Sequence, residues 1–113
     1  MKSKILALSK NEEFKSLLKQ NKISNKYVTF FFGYLDKKDN KKLNISFVTK
    51  KKIGNAVKRN KIKRRLRNIL NEAVKKISIK FKYSYLVIAK STMLNNEYKI
   101  IKETLFQDLK RIK

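Results

Sequence analysis

Apolar positions recur along this chain with two periods, about 3.6 and about 2, and the changes of period mark its elements. Phe14, Leu17 and Leu18 share one side of a helical repeat, and Ser9 stands three residues before Glu12, the spacing of a capping box. A short helix is predicted over residues 11–20. "YVTFFFGYL" (27–35) is a run of aromatic and β-branched side chains, which suit a pleated, half-buried backbone, and it predicts a strand. The polar "DKKDNKK" that follows predicts a turn. Leu43, Ile45 and Phe47 then alternate with polar neighbours, the period of a second strand. The simplest pairing of the two strands is a hairpin.

Gly54-Asn55 offers an entry and an N-cap for a longer helix. Behind it Ile62, Leu66, Ile69, Leu70, Ala73, Val74 and Ile77 recur at steps of three and four, an apolar stripe made to lie on a sheet. Lys61, Arg64, Asn68 and Lys75 project to the opposite side, and Arg59, Lys63, Arg65 and Arg67 flank the stripe. This helix is dry on one side and cationic on the other. "YSYLVIA" (83–89) is almost continuously apolar and predicts a central strand. Tyr98, Ile101, Leu105, Leu109 and Ile112 define a last helix, with Asn95 placed to cap it, Glu97 in its first turn and basic residues at its end. Helix, two or three strands, helix, strand, helix predicts an α+β fold with helices packed on a small sheet.

Composition adds the partner. Lys and Arg number 31 against 8 Asp and Glu, a formal charge of +23 whose self-repulsion is most simply explained by a polyanion. Nucleic acid fits best, because its binding is driven by neutralising phosphates. An anionic membrane surface fits less well, since the basic residues are spread along the whole chain rather than gathered in one segment. Codon bias toward Lys, Asn and Ile explains part of the lysine content, but not the arginines clustered at Arg59, Arg64, Arg65 and Arg67. Hydrophobic residues make up 42% of the chain, which argues against disorder, and proline is absent, so residues 1–113 are expected to form a single domain. No apolar run has the length of a secretory signal or a membrane span, and the expected location is the cytoplasm.

Side chains for catalysis are scarce. Histidine and cysteine are absent, which removes the commonest general base, the thiolate nucleophile and the usual zinc ligands. Asp36 and Asp39 share a loop and could touch a hydrated magnesium ion, although two such acids are ordinarily just solvated. Gly33 and Gly54 are too few and too far apart for a glycine-rich phosphate loop. The aromatics offer binding instead of chemistry. If the core takes Phe30 and Phe32, Phe31 points to the other face of its strand, where Phe14 could join it beside a basic groove, as single-stranded nucleic acid requires. The alternative is that all these rings are core.

"KKIGNAVKRNKIKRRLRNIL" (51–70) closely resembles the signature of the bacterial ribonuclease P protein subunit. That family carries a Lys-Lys-hydrophobic-Gly-Asn-Ala-Val opening, an Arg-Asn-Arg core, a Lys-Arg pair and a further Arg. They correspond here to Lys51–Val57, Arg59-Asn60-Lys61, Lys63-Arg64 and Arg67. Lys61 stands where the family usually has Arg, which keeps the charge and loses a bidentate phosphate fork. The likeness extends to "NEEF", "YSYLVIAK" and the closing helix, nearly the whole chain.

The resemblance implies an accessory subunit of an endoribonuclease in which a large RNA removes the 5′ leader of precursor tRNA by magnesium-dependent hydrolysis. Mg2+ would be held mainly by that RNA, the protein helping to bind the leader and the metal ions, with no catalytic residue and no metal ligand assigned on the protein. It further implies that Lys51, Lys52, Asn55, Arg59, Asn60, Lys61, Lys63, Arg64 and Arg67 bind the catalytic RNA. Phe14, Leu18, Phe31 and Lys90 would bind the leader in a cleft between the first helix and the sheet, Leu18 standing where an aromatic is common. The implied architecture is a two-layer α/β sandwich on a small mixed sheet with three helices and a left-handed β-α-β crossover, against the usual hand. The implied partners are the catalytic RNA and precursor tRNA, with no membrane and no required protein partner. Taken without the resemblance, the residues leave two other readings open. One is a ribosomal RNA-binding protein of similar size and charge. The other is a DNA-binding protein whose basic helix enters a major groove.

Overall fold

The computed structural model describes residues 5–6, 11–35 and 42–112. In chain order its elements are strand β1 (Ile5–Leu6), helix α1 (Asn11–Leu18), strands β2 (Asn21–Ser24), β3 (Val28–Gly33) and β4 (Leu43–Val48), helix α2 (Ala56–Lys76), strand β5 (Ser84–Ala89) and helix α3 (Tyr98–Arg111). Single tight helical turns at Lys51–Ile53 and Ser91–Met93 follow β4 and β5. The proposed cap Ser9 and the loop acids Asp36 and Asp39 lie outside the described residues.

The strands form one mixed sheet in the order β1-β4-β5-β3-β2. β4 runs parallel to both β1 and β5, while β3 is antiparallel to β5 and β2. The expected hairpin of β3 with β4 is therefore not formed: β5 lies between them. The reason is burial. Tyr85, Leu86, Val87 and Ala89 are all buried, so β5 needs cover on both faces and both edges, which only a central position gives. The hairpin partner of β3 is instead β2, whose sequence "NKIS" carries no apolar run. Asn25 shapes their turn, its Oδ1 accepting from the N–H groups of Tyr27 at 2.7 Å and Val28 at 2.9 Å.

The main core lies between the sheet and α2 and α3. Ile62, Leu66, Ile69, Leu70 and Ala73 of α2 are fully buried with Ile101, Leu105 and Leu109 of α3 over Phe30, Ile45, Tyr85 and Val87. Each such Leu or Ile contributes about 1.5–3 kcal/mol by leaving water. Asn55 caps α2 as its position in the sequence predicts, accepting from the Lys58 N–H at 3.0 Å. The start of α3 differs from expectation. Glu97 occupies the cap position without a side-chain cap bond, and Asn95 is exposed. The preceding turn is held instead by the Asn96 side chain, which donates to the Thr92 carbonyl at 2.7 Å. Helix α1 sits on the other face of the sheet, where Leu17 is buried against Leu86. That smaller contact leaves part of the face uncovered, and two cationic surfaces result.

Candidate nucleic-acid interface

The first surface is the outer side of α2 with the turn that feeds it. Lys61, Lys63, Arg64 and Arg67 are exposed, as are Asn60 and the turn residues Lys51 and Lys52. From Arg59 to Arg67 the cationic face extends about 12 Å, taking about 1.5 Å per residue. Gly54 makes the approach of turn and helix possible. Its φ of 156° is one that side chains rarely adopt, and a Cβ there would lie 2.8 Å from Cδ of Lys58. The free N–H groups of the helix start and its dipole add positive potential beside Lys51 and Lys52. Asn55 lies here too, with its Oδ1 already engaged in capping.

Two arginines at the edge of the stripe behave differently. Arg65 is half-buried and donates through one nitrogen to the carbonyls of Met93 at 3.0 Å and Asn96 at 3.2 Å, so it holds the turn before α3. Arg59 is also half-buried, and its Nε is out of solvent with no acceptor among the described residues. The described ion pairs join Glu72 to Lys76 and Lys102, and Asp108 to Arg111, none of them on the motif. Among the described residues, then, none of these ion pairs neutralises the exposed cations of the motif.

The second surface is the part of the sheet that α1 does not fill. Strand alternation resolves the three phenylalanines: Phe30 and Phe32 enter the main core, and Phe31 turns to the opposite face. There Phe31 and Phe14 are half-buried together with Val48 and Ile88 around Leu17 and Leu86. Leu18 is placed differently. It is 47% exposed and does not pack in this cluster.

Along the same strands, a pocket of about 360 Å³ opens between Thr29, Ile88, Lys90 and the turn carrying Lys50 and Lys52. Lys90 enters it already oriented. Its Nζ donates to Ser24 Oγ at 3.0 Å and to the Asn25 carbonyl at 2.5 Å, which leaves one of its three donors for a ligand. An aromatic patch thus runs into a pocket bordered by three lysines. Sequence reasoning missed Lys50, although its place directly before the Lys51-Lys52 pair was a usable signal. Among the described residues no group of three or more acids converges, and the pair Asp36 and Asp39 lies outside them.

The chain is similar to known proteins along most of its length. The family model described as ribonuclease P matches residues 3–113. The ribonuclease P protein component of Carboxydothermus hydrogenoformans is 36% identical over 110 residues, covering 94% of this chain and 90% of that protein. That of Bacillus cereus is 34% identical over 104 residues, covering 92% and 88%. Among solved structures, the RNase P protein from Thermotoga maritima superposes with a TM-score of 0.79 at 23% identity, covering 96% of this chain and 98% of that one, a likeness of fold. The RNase P protein of Staphylococcus aureus gives 0.76 at 26% identity, covering 94% and 93%. A chain so matched along its length belongs to the bacterial ribonuclease P protein family, the protein components of the endoribonuclease that acts in tRNA maturation.

Proposed function

We propose that the two surfaces divide the work of the subunit. The outer face of α2, with Lys51, Lys52 and Asn55 at its start, binds the catalytic RNA through Arg59, Asn60, Lys61, Lys63, Arg64 and Arg67. The cleft between α1 and the sheet takes the single-stranded 5′ leader of precursor tRNA. Phe14 and Phe31 stack its bases, and Lys90 meets its backbone. Leu18, exposed at the end of α1, is assigned to the leader with them. The observation that carries this reading is the outward turn of Phe31 into a half-buried cluster with Phe14, beside a pocket bordered by Lys50, Lys52 and Lys90. A ring wanted only for the core has no need of that lysine border.

Hydrolysis is assigned to the RNA, with Mg2+ held by RNA oxygens. The reading makes residues 1–113 a single RNA-binding domain at work in the cytoplasm, with no further protein required.

The test uses the reconstituted holoenzyme and precursor tRNA with and without its leader. Phe14→Ala or Phe31→Ala should weaken binding of leader-bearing tRNA by about 1–3 kcal/mol, the usual worth of one stacked base. Mature tRNA should bind as before. A sharp fall in melting temperature of the free protein with leader discrimination intact would make both rings core residues and defeat the cleft assignment.

A further inference from the structure

At the end of β3 remote from Lys90, four aromatic rings step outward from the core. Tyr85 and Phe32 are buried at the base, Phe32 lies 5.4 Å from Tyr83, and Tyr83 lies 5.0 Å from Tyr34 between ring centres. Tyr34 ends the series with 60% of its surface in water.

Tyr34 is held rather than left loose. The Gln20 side chain spans its backbone, accepting from the Tyr34 N–H at 3.1 Å and donating to the Tyr34 carbonyl at 3.2 Å. Gly33 gives Gln20 the room to do this, for a Cβ at Gly33 would fall 2.0 Å from Oε1 of Gln20. A cation completes the patch, with Lys82 Nζ 5.1 Å from the centre of the Tyr83 ring. An exposed ring on a pinned backbone, packed against Tyr83 and flanked by a lysine, is a combination that can stack an unpaired base and neutralise its phosphate. The patch packs on the main-core side with Phe32 and Tyr83, the opposite face of the sheet from Phe31, and lies far from the Lys90 pocket. Tyr34 follows Gly33 and Lys90 follows Ala89, so the strands place them at opposite ends, about 20 Å apart at about 3.3 Å per residue.

We propose that Tyr34, seated on Tyr83 and fixed by Gln20, is a second stacking site. It takes one unpaired base of an RNA strand that does not run through the leader cleft. The charge of the chain, +23, favours this occupant over an apolar protein surface. The inference rests on the chain working within a ribonucleoprotein, and its test is independent of Phe14 and Phe31.

Titrating the full chain with hexaadenylate, followed by the ring-proton resonances of its tyrosines, should move the Tyr34 and Tyr83 signals upfield as a base stacks. The same shifts should persist in the Phe31→Ala chain, where leader binding is impaired. In the reconstituted holoenzyme, Tyr34→Ala should weaken the affinity of protein for catalytic RNA or for precursor tRNA about five- to tenfold, and Tyr34→Phe should restore it. Gly33→Ala, which displaces Gln20 while keeping the ring, should show part of the loss as a positioning effect. Unmoved Tyr34 signals together with an unchanged Tyr34→Ala holoenzyme would overturn the proposal. Shifts that depend on protein concentration instead of RNA would also overturn it, by making the patch a contact between copies of this chain.

Discussion

The side-chain amide of Asn25 donates to the Asp108 carboxylate at 2.7 Å, joining the β2–β3 turn to the end of α3 across 83 positions of sequence. Asp108 is buried, and Asn25 also presents the carbonyl that receives Lys90. A single contact therefore locks the closing helix to the hairpin and sets the height of a lysine in the cleft. Asp108→Ala should cost about 1.5–3 kcal/mol in urea unfolding, the range for a hydrogen bond to a charged group. Asp108→Asn keeps an acceptor and should cost less. Equal losses for the two variants would show that the carboxylate acts through charge alone, for instance through Arg111 at 3.7 Å.

Arg64 and Leu66 test the two sides of α2. Arg64 is exposed, and Leu66 has no exposed surface. Arg64→Ala should weaken binding of the catalytic RNA and leave the melting temperature of the free protein in place. Leu66→Asp should unfold the domain, because it puts a charge among apolar side chains with no partner. A folded Leu66→Asp protein would reverse the two faces of the helix.

Salt should act steeply. If about six phosphates are neutralised, the logarithm of the RNA association constant should fall with the logarithm of salt concentration at a slope of about −4 to −5. The measurement is a titration between about 50 and 200 mM salt, the span over which that counterion effect is large. Removing one exposed cation such as Arg67 should reduce the slope by just under one. A flat response would exclude counterion release as the main source of affinity.

Alkaline pH should unfold the protein through two tyrosines. Burial, reinforced by the nearby Tyr83, raises the Tyr85 phenol well above its ordinary value of 10.0, and its hydroxyl donates to the Lys80 carbonyl at 2.8 Å. Tyr98 is raised too, by burial first and then by the charge of Glu72 and a hydrogen bond to it. A raised pKa means that the folded state holds its proton where the unfolded state has lost it. The stabilisation is complete below about pH 10, the unfolded value, and is lost as pH climbs through the folded one. Chemical denaturation at pH 9 to 11 (roughly bracketing that value) should show the decline, and Tyr85→Phe should flatten it. The same decline in the Tyr85→Phe protein would move the effect elsewhere.

Periodicity made the helices legible, because a core-facing stripe leaves its mark at every third and fourth position. The cap Asn55, the buried residues of α2 and the outward turn of Phe31 were all readable in this way. Neighbour relations were not. Nothing in Leu43–Val48 or Ser84–Ala89 says which strand lies beside which, since pairing depends on backbone bonds common to all residues. "NKIS" hid as a strand for a related reason: an edge strand with polar side chains buries too little to show an alternation. The stripe separated Arg64 from Arg65, but the partner of Arg65 was equally hidden. Arg64 and Arg65 are adjacent and chemically alike, yet one faces water while the other braces a turn nearly thirty residues on, at Met93. For the cleft, Phe14 and Phe31 were visible as aromatics, but the share of Lys90 taken by Ser24 and Asn25 required the folded hairpin.

The central place of β5 has a consequence for synthesis of the chain. Among the described strands, the β1–β4 pair and the β2–β3 pair are joined into one sheet only through β5, residues 84–89. As the chain leaves the ribosome, both halves and the whole basic helix emerge before the strand that unites them. Closure depends on contacts between distant segments, which form slowly, and exposed strand edges invite wrong partners in the interval. Mutual repulsion among the lysines and arginines of α2 then serves the nascent chain, holding it apart from its copies until β5 arrives. A polyanion present at that moment would relieve the repulsion within one chain and draw several chains onto one strand. The order in which RNA and protein are mixed should therefore influence the yield of folded subunit, even where the final complex is the same.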